Sequence, residues 1–172
     1  MQSHNIRLGN SNDLHLLQDI ERRAGRAFAD IGMQTIAEDE PPSITELAGY
    51  SNDGRLWVAT DSTDRPVAYA LVDLIDDCAH IEQVSVDPEH AGQRLGQALI
   101  DAVSSWAATR KLKGLTLTTF AEVPWNAPYY HRLGFEILSE TQLTPGLQSI
   151  RQGEREHGLD RWPRVCMKRS II

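Results

Sequence analysis

A helical pattern between two β-rich segments constrains this fold more than any other feature of the sequence. Apolar residues recur every three or four positions from residue 95 to residue 111, and Gly114 ends the pattern. Segments 80–86 and 115–120 on either side have the composition of strands. Because the links between these elements are short, their order predicts a βαβ unit with two parallel strands.

Further elements are predicted on both sides of this unit. They are strands at 5–8, 56–60, 66–75, from 135 and at 165–168, and helices after Asp13, after Ser43 and at 127–132. We expect the side chains of Ser11, Asn12 and Asp13 to cap the first helix. Three successive strands with short links predict an antiparallel meander that ends at residue 86.

The long connection from Thr141 to Trp162 is also predicted to contain a helix, since a structureless loop of this length is uncommon in a compact domain. Thr144 is a suitable cap, Pro145 a suitable first residue and Gly158 a suitable stop. The sequence leaves two interpretations equally open. The helix is a structural cover, or it is the lid or wall of a binding site.

Composition restricts the class of protein. A chain of 172 residues suits one domain, and a net charge of −7 argues against broad nucleic-acid or anionic-membrane binding. There is no apolar run of membrane length and no signal-peptide pattern, so we expect a cytoplasmic protein. Cys78 and Cys166 lie among apolar residues and should be buried free thiols. The six histidines are not at ligand spacing, so no metal is expected.

The turn between the strand at 80–86 and the long helix is a candidate anion site. A helix N-terminus presents free N–H groups and the positive end of the helix dipole, both of which favour phosphate. Gly92 and Gly96 lie here, but neither the dinucleotide pattern nor the nucleotide P-loop is present. The residues alone therefore allow a phosphate-binding turn or a plain strand-to-helix turn, and they favour the plain turn.

Two blocks of sequence resemble a known family. The first is Val84-x-Val86-Asp87-Pro88 with Gly92 and Gly96, and the second reads Asn-Ala-Pro-Tyr-Tyr-His-Arg-Leu-Gly-Phe over 126–135. With the order of elements, they resemble the GNAT superfamily of acetyl-CoA-dependent N-acetyltransferases. The Pro-Trp-Asn-Ala-Pro-Tyr-Tyr block at 124–130 is similar to a bacterial subgroup.

This resemblance implies an α/β (α+β) fold, with a central mixed, mostly antiparallel twisted sheet of about seven strands, helices on both faces and a single domain over 1–172. It implies acetyl-CoA as co-substrate. The strand at 81–86 would splay from its neighbour and leave backbone groups for the pantetheine arm, and the following turn would hold the pyrophosphate. The implied cofactor contacts are Val84, Ser85, Val86, Ala91, Gly92, Gln93, Arg94, Leu95, Gly96, Gln97 and Asn126.

Three positions depart from the family pattern. Ala91 stands where the family usually has Gln or Arg, and Arg94 stands where it usually has Gly. We expect Arg94 to contact the cofactor and to have a helical backbone, which does not require Gly. The family Asn usually lies seven residues before the Tyr, where Val123 stands here, so the assignment goes to Asn126.

The resemblance assigns the chemistry to two residues. An amine acceptor with a pKa of about 10 must lose a proton, and a leaving thiolate with a pKa of about 8.5 must gain one. Glu82 stands at the family's base position and Tyr130 at its acid position, which implies direct attack by the amine. The alternatives are an exposed strand carboxylate and a packing tyrosine.

The acceptor side is less defined. Phe28, Asp73 and Trp125 are candidate substrate-binding residues. We expect a small-molecule amine as acceptor, with a protein amine as the alternative, and the resemblance allows a homodimer. One rival interpretation of the whole chain is a non-catalytic acyl-CoA-binding or regulatory module of the same fold. The other is a structural or interaction domain without cofactor, which only Ala91 and Arg94 favour.

Overall fold

The structure, a computed structural model that describes residues 4–171, contains a seven-stranded mixed sheet. Its strands are β1 (Asn5–Leu8), β2 (Leu56–Thr60), β3 (Pro66–Ile75), β4 (Cys78–Val86), β5 (Gly114–Phe120), β6 (Glu136–Ile137) and β7 (Arg164–Ser170). Its α-helices are α1 (Leu14–Gly25), α2 (Gln34–Ala37), α3 (Ile44–Asn52), α4 (Leu95–Thr109), α5 (Ala127–Arg132) and α6 (Pro145–Glu156).

The strand order is β1-β2-β3-β4-β5-β7-β6, with helices on both faces of the sheet. The pairs β1–β2, β2–β3, β5–β7 and β6–β7 are antiparallel, whereas β4 and β5 are parallel. The predicted fold class and the parallel βαβ unit are therefore confirmed. Strands β2 and β3 and helix α5 have the predicted bounds.

The chain folds into two compact units. The first comprises the described residues up to Val72 together with Gln83–Val103, and the second comprises Asp73–Glu82 together with the chain from Ser104 onward. Each has its own buried residues and is described by itself below. That the whole chain forms one domain stays a prediction.

The core of the first unit lies between α1, α3 and strands β2 and β3. Its buried members are Leu14, Leu17, Ile20, Leu47, Leu56, Val58, Tyr69 and Leu71. Ser43 caps α3, since its hydroxyl accepts from the N–H of Glu46 at 3.1 Å. The predicted capping of α1 is wrong, because the Asp13 carboxylate accepts from Arg7 and from the N–H of Asn10 instead.

The second unit is built on β5 and β7, which pair along the whole of β5 from Gly114 to Phe120. Helix α6 has the predicted cap, Thr144, and buries Leu147 and Arg151. Its Glu154 carboxylate accepts hydrogen bonds from Arg151, Arg164 and Thr118. The contacts with Thr118 and Arg164 attach α6 to β5 and β7 of its own unit.

Candidate active site

In the first unit, an exposed turn joins the end of β4 to α4. Asp87 caps the 3-10 turn Pro88–His90 through the N–H of Glu89 and accepts from Arg23 at 2.7 Å. Residues 91–94 are exposed, and α4 begins at Leu95 and runs for 15 residues. A solvated turn before a long helix presents free backbone N–H groups, so this segment suits an anionic group.

Two residues of the turn have left-handed backbones. Gly92 has φ 81° and Arg94 has φ 59°. The expectation that Arg94 is helical is therefore wrong, since α4 starts one residue later and the turn requires a positive φ at this position. The family's Gly adopts that conformation without strain, whereas Arg does so at a cost.

Strand β4 pairs with β5 over a short distance only. The parallel register joins Ala79 to Leu115 and His80 to Thr116, and β4 then continues to Val86. Val84 and Val86 are half-buried, whereas Ser85 is buried. The backbone of β4 past His80 thus extends beyond its registered pairing with β5.

A carboxylate that sequence reasoning missed lies against this part of β4. Glu21 of α1 accepts hydrogen bonds from the hydroxyls of Tyr69 and Ser85 and from the amide of Gln83. Burial raises the pKa of Glu21, and the bonds from Ser85 and Tyr69 oppose that rise only in part. The Ser85 side chain is thus committed to Glu21, which leaves its backbone for any cofactor contact.

The position of Glu21 could have been read from the sequence. It follows Leu14 by seven residues and Leu17 by four, so it belongs to the apolar face of α1. A carboxylate on a buried helix face requires donors, and β3 and β4 supply them through Tyr69, Gln83 and Ser85. Nothing in the sequence alone identifies those donors.

In the second unit, the Glu82 side chain is 49% exposed and lies beside a buried histidine. Its Oε2 is 4.0 Å from Nε2 of His80, which is 1% exposed. The Nδ1 atom of His80 is 2.9 Å from Oγ1 of Thr116 on β5. Burial lowers the pKa of His80, although Asp73 and Glu154 oppose that effect. The Glu82 carboxylate is thus accessible to solvent.

Helix α5 places Tyr130 among aromatic rings. Tyr130 is half-buried and makes edge-to-face contacts with Tyr129 and Phe135 at centroid distances of 5.3 and 5.9 Å. Asn126 precedes the helix, and its carboxamide oxygen accepts from the N–H of Phe120 at 3.4 Å. That contact holds the amide toward the end of β5.

The candidate acceptor residues lie in both units. In the first, Phe28 is half-buried in the 3-10 turn Arg26–Ile31. In the second, Asp73 is half-buried and Trp125 is 37% exposed. Asp76 accepts from the N–H of Gly146 at 2.7 Å and so anchors the start of α6.

Among residues 4–171, no group of three or more His, Cys, Asp or Glu side chains is arranged to hold a metal ion. In the same part of the chain, no helix has the length and apolar content needed to cross a bilayer.

Comparisons with known proteins agree with this architecture. The chain is 23% identical over 97 residues to peptidyl-lysine N-acetyltransferase YjaB of Salmonella typhimurium, a match that covers 56% of this chain and 61% of that protein. Coenzyme A-bound PaiA N-acetyltransferase from Thermoplasma acidophilum has a TM-score of 0.72 at 14% identity, covering 98% of this chain and 99% of that one. The ribosomal-protein-S18-alanine N-acetyltransferase of Escherichia coli has a TM-score of 0.67 at 22% identity, covering 98% and 94%.

At these identities the solved structures show the fold. The family model described as "Acetyltransferase (GNAT) family" matches residues 16–135, which include most of α1, the exposed turn, α4 and the whole of α5. Both sequence blocks that carried the resemblance lie within this match. The chain belongs to the GNAT acetyltransferase family.

Proposed function

We propose that this chain is an acetyl-CoA-dependent N-acetyltransferase that moves an acetyl group to a primary amine by direct attack. The observation that carries the proposal is the course of β4, which continues past its pairing with β5 and leads into an exposed turn before α4. Such a segment offers backbone N–H groups first to the pantetheine arm of acetyl-CoA and then to its pyrophosphate. The family match supports the same assignment.

The residues of the turn fit that co-substrate. Gly92 has open space around the position of a Cβ, and Arg94 is exposed and can pair with phosphate. We assign the arm to the backbone of Val84, Ser85 and Val86 and the pyrophosphate to the turn, with Asn126 as a further contact. The contacts assigned in the turn are Ala91, Gly92, Gln93, Arg94, Leu95, Gly96 and Gln97. When bound, acetyl-CoA supplies the thioester whose acetyl group passes to the amine as the thiol is released.

Two side chains move the protons in this proposal. The Glu82 carboxylate, half in solvent, accepts a proton from the acceptor's ammonium group, directly or through water. The Tyr130 hydroxyl donates a proton to the departing sulfur. Tyr130 suits that task because its aromatic neighbours Tyr129 and Phe135 fix the ring.

For the acceptor we propose a cationic amine, with a small molecule as the first candidate. The net charge of −7 favours a positively charged partner. Phe28, Asp73 and Trp125 are the proposed contacts. A protein amine is the alternative, because the similar proteins include enzymes named for peptidyl-lysine and for the alanine of ribosomal protein S18. The similarity of the 124–130 block to a bacterial subgroup does not distinguish a small-molecule amine from a protein amine.

Release of free thiol from acetyl-CoA across a panel of amines tests the activity. We expect turnover with at least one amine and a loss of about a hundredfold or more in kcat for Glu82→Gln and for Tyr130→Phe. The matched controls are Glu136→Gln, an exposed strand carboxylate, and Tyr129→Phe, the adjacent tyrosine of α5. Absence of turnover with every amine, despite tight coenzyme A binding, contradicts the proposal.

The strained Arg94 and Ala91 in the turn favour a structural or interaction domain that binds no cofactor. The remaining alternative is a non-catalytic acyl-CoA-binding or regulatory module of the same fold, which binds coenzyme A as the enzyme does. Thermal shift with coenzyme A and the turnover assay separate the candidates. Binding at a hundred times the dissociation constant stabilises the fold by about 2.7 kcal/mol in both cofactor-binding cases. Only the enzyme also shows turnover that is sensitive to Glu82→Gln.

A further inference from the structure

A buried histidine, His80, lies beside Glu82 in the second unit. It occupies a strand position of the kind that usually holds an apolar side chain. His80 is 1% exposed and is two residues before Glu82 on β4, so the two side chains emerge on the same face of the strand. Its two ring nitrogens face different partners, Thr116 at 2.9 Å from Nδ1 and Glu82 at 4.0 Å from Nε2. The ring therefore joins a buried hydroxyl to a carboxylate that reaches solvent.

The charge state of this ring follows from its surroundings. Burial lowers the pKa of His80, and the carboxylates of Asp73 on β3 and Glu154 on α6 counteract it only in part. Glu154 is itself engaged by Arg151 and Arg164. At neutral pH the ring is neutral and carries one proton. The position of this proton determines whether Nε2 presents a donor or an acceptor to Glu82.

We propose that His80 is a positioning residue for Glu82: the Thr116 hydroxyl donates to Nδ1, which leaves the single ring proton on Nε2, directed at the Glu82 carboxylate. This inference rests on the proposed function, in which Glu82 is the base. Two features support it. Thr116 is buried and within hydrogen-bond distance of Nδ1, and a carboxylate beside Nε2 favours a proton there.

The consequence for Glu82 is a preferred orientation and a more stable ionised form. A donor near a carboxylate favours the charged state, which is the state that accepts a proton. The distance of 4.0 Å exceeds that of a hydrogen bond. Glu82 is half exposed and can rotate toward Nε2, and bonds of this kind often tighten when substrate binds.

The first test determines the tautomer of His80 and does not require enzymatic activity. Long-range proton–nitrogen NMR spectra of the histidine-labelled protein assign the tautomer of His80, with His80→Gln identifying its signals. We expect the Nε2–H tautomer in the wild type and in Thr116→Ser, which keeps the hydroxyl. We expect a mixture of tautomers in Thr116→Val, which keeps the shape but not the donor. An Nδ1–H tautomer in the wild type overturns the proposal.

The second test follows kcat/KM against pH. The acidic limb reports ionisation of the base, so we expect it to move to higher pH in His80→Gln and in Thr116→Val, with kcat about tenfold lower. Thr116→Ser should restore the wild-type profile, and Glu82→Gln should abolish the limb. A merely structural role would lower stability and leave the limb in place, and circular dichroism melts of each variant measure that separately.

The outcomes separate a failure of the proposed function from a failure of the proposed role of His80. A wild-type protein without turnover on any amine overturns the proposed function and the role of His80 with it. A wild-type protein that turns over, with a limb that vanishes in Glu82→Gln but is unmoved by Thr116→Val, overturns the role of His80 alone. A shifted limb together with the Nε2–H tautomer supports both.

Discussion

Arg94 adopts a backbone conformation that its side chain disfavours. A left-handed φ costs a residue with a Cβ about 1–2 kcal/mol, and Gly would relieve that cost while losing about 0.5–1 kcal/mol of chain entropy. The residue nonetheless stands in a turn that is exposed and precedes the longest helix. We infer that the Arg94 guanidinium contributes to coenzyme A binding and does not contribute to the stability of the fold.

Two substitutions at this position separate strain from charge. Both Arg94→Gly and Arg94→Ala remove the guanidinium, but only the Gly variant relieves the positive φ. We expect Arg94→Gly to be more stable than Arg94→Ala by about 1 kcal/mol in urea unfolding. We expect both to bind coenzyme A more weakly than the wild type and by similar factors, as measured by titration calorimetry. Equal stabilities of the two variants would show that the turn is not strained.

Glu21 gives the first unit a dependence on pH. Burial raises its pKa in the folded state, so the fold favours the protonated carboxyl. The stability associated with that proton is fully present below the pKa of the unfolded chain and is lost as pH rises through the folded pKa. Glu21→Gln imitates the protonated form and should remove this loss.

The measurement is urea unfolding of wild type and Glu21→Gln at about pH 5 and about pH 8. We expect the difference in unfolding free energy between the variant and the wild type to shift in favour of Glu21→Gln as the pH rises. Asp19→Asn, which removes an exposed carboxylate from the same helix, is the matched control. A trend of opposite sign would mean that the bonds from Ser85 and Tyr69 outweigh burial.

At the scale of elements, the sequence predicts those with strong local signals. Strands β2 and β3 have β-rich compositions between polar turns, and α5 has Pro128 near its start. The short α2 and the 3-10 turn Arg26–Ile31 were not predicted, because neither buries an apolar residue and so neither has a periodic pattern. The cap of α1 was misassigned because Arg7, brought near by the fold, competes for Asp13.

Helix α6 contains two glycines whose surroundings differ sharply. A Cβ on Gly146 would lie 2.5 Å from both Asp76 Oδ2 and Ile75 Cγ2, whereas a Cβ on Gly153 would meet nothing within 4 Å. We expect Gly146→Ala to destabilise the protein by about 1–3 kcal/mol through overpacking. We expect Gly153→Ala to stabilise it by up to about 1 kcal/mol, because Ala is the better helix former.

Urea unfolding of the two variants provides the measurement, and each is the control for the other, since the substitution and the helix are the same. Asp76→Ala in the Gly146→Ala background then locates the effect. Removal of the Asp76 side chain takes away the Oδ2 contact together with the bond to the Gly146 N–H. A neutral Gly146→Ala would show that the start of α6 does not pack against β3 as closely as 2.5 Å implies.

For the whole molecule, the sequence predicts the family and the strand order more completely than it predicts the contacts within the candidate site. The two motif blocks and the βαβ pattern are local, and the seven-stranded order follows from them through the family. The contacts of Glu21 with Tyr69 and of His80 with Thr116 join residues far apart in the chain, so no local pattern predicts them. Under the proposed function, the net charge of −7 bears more on the acceptor than on the co-substrate, since one turn with Arg94 can concentrate positive potential locally.

The two cysteines report on the integrity of the second unit, to which both belong. Cys78 and Cys166 are free and buried, and burial raises the pKa of both thiols, that of Cys166 to about 11. Because the thiolate is the reactive species, the folded protein should react very slowly with iodoacetamide at about pH 8 and rapidly in concentrated guanidinium chloride. Between these limits, labelling of each cysteine should follow the unfolding transition seen by circular dichroism, with Cys78→Ser and Cys166→Ser assigning the signals. Labelling of either thiol ahead of that transition would reveal local opening of β4 or β7, whereas coincidence means that free thiol detected in the acetyl-transfer assay comes from the co-substrate alone.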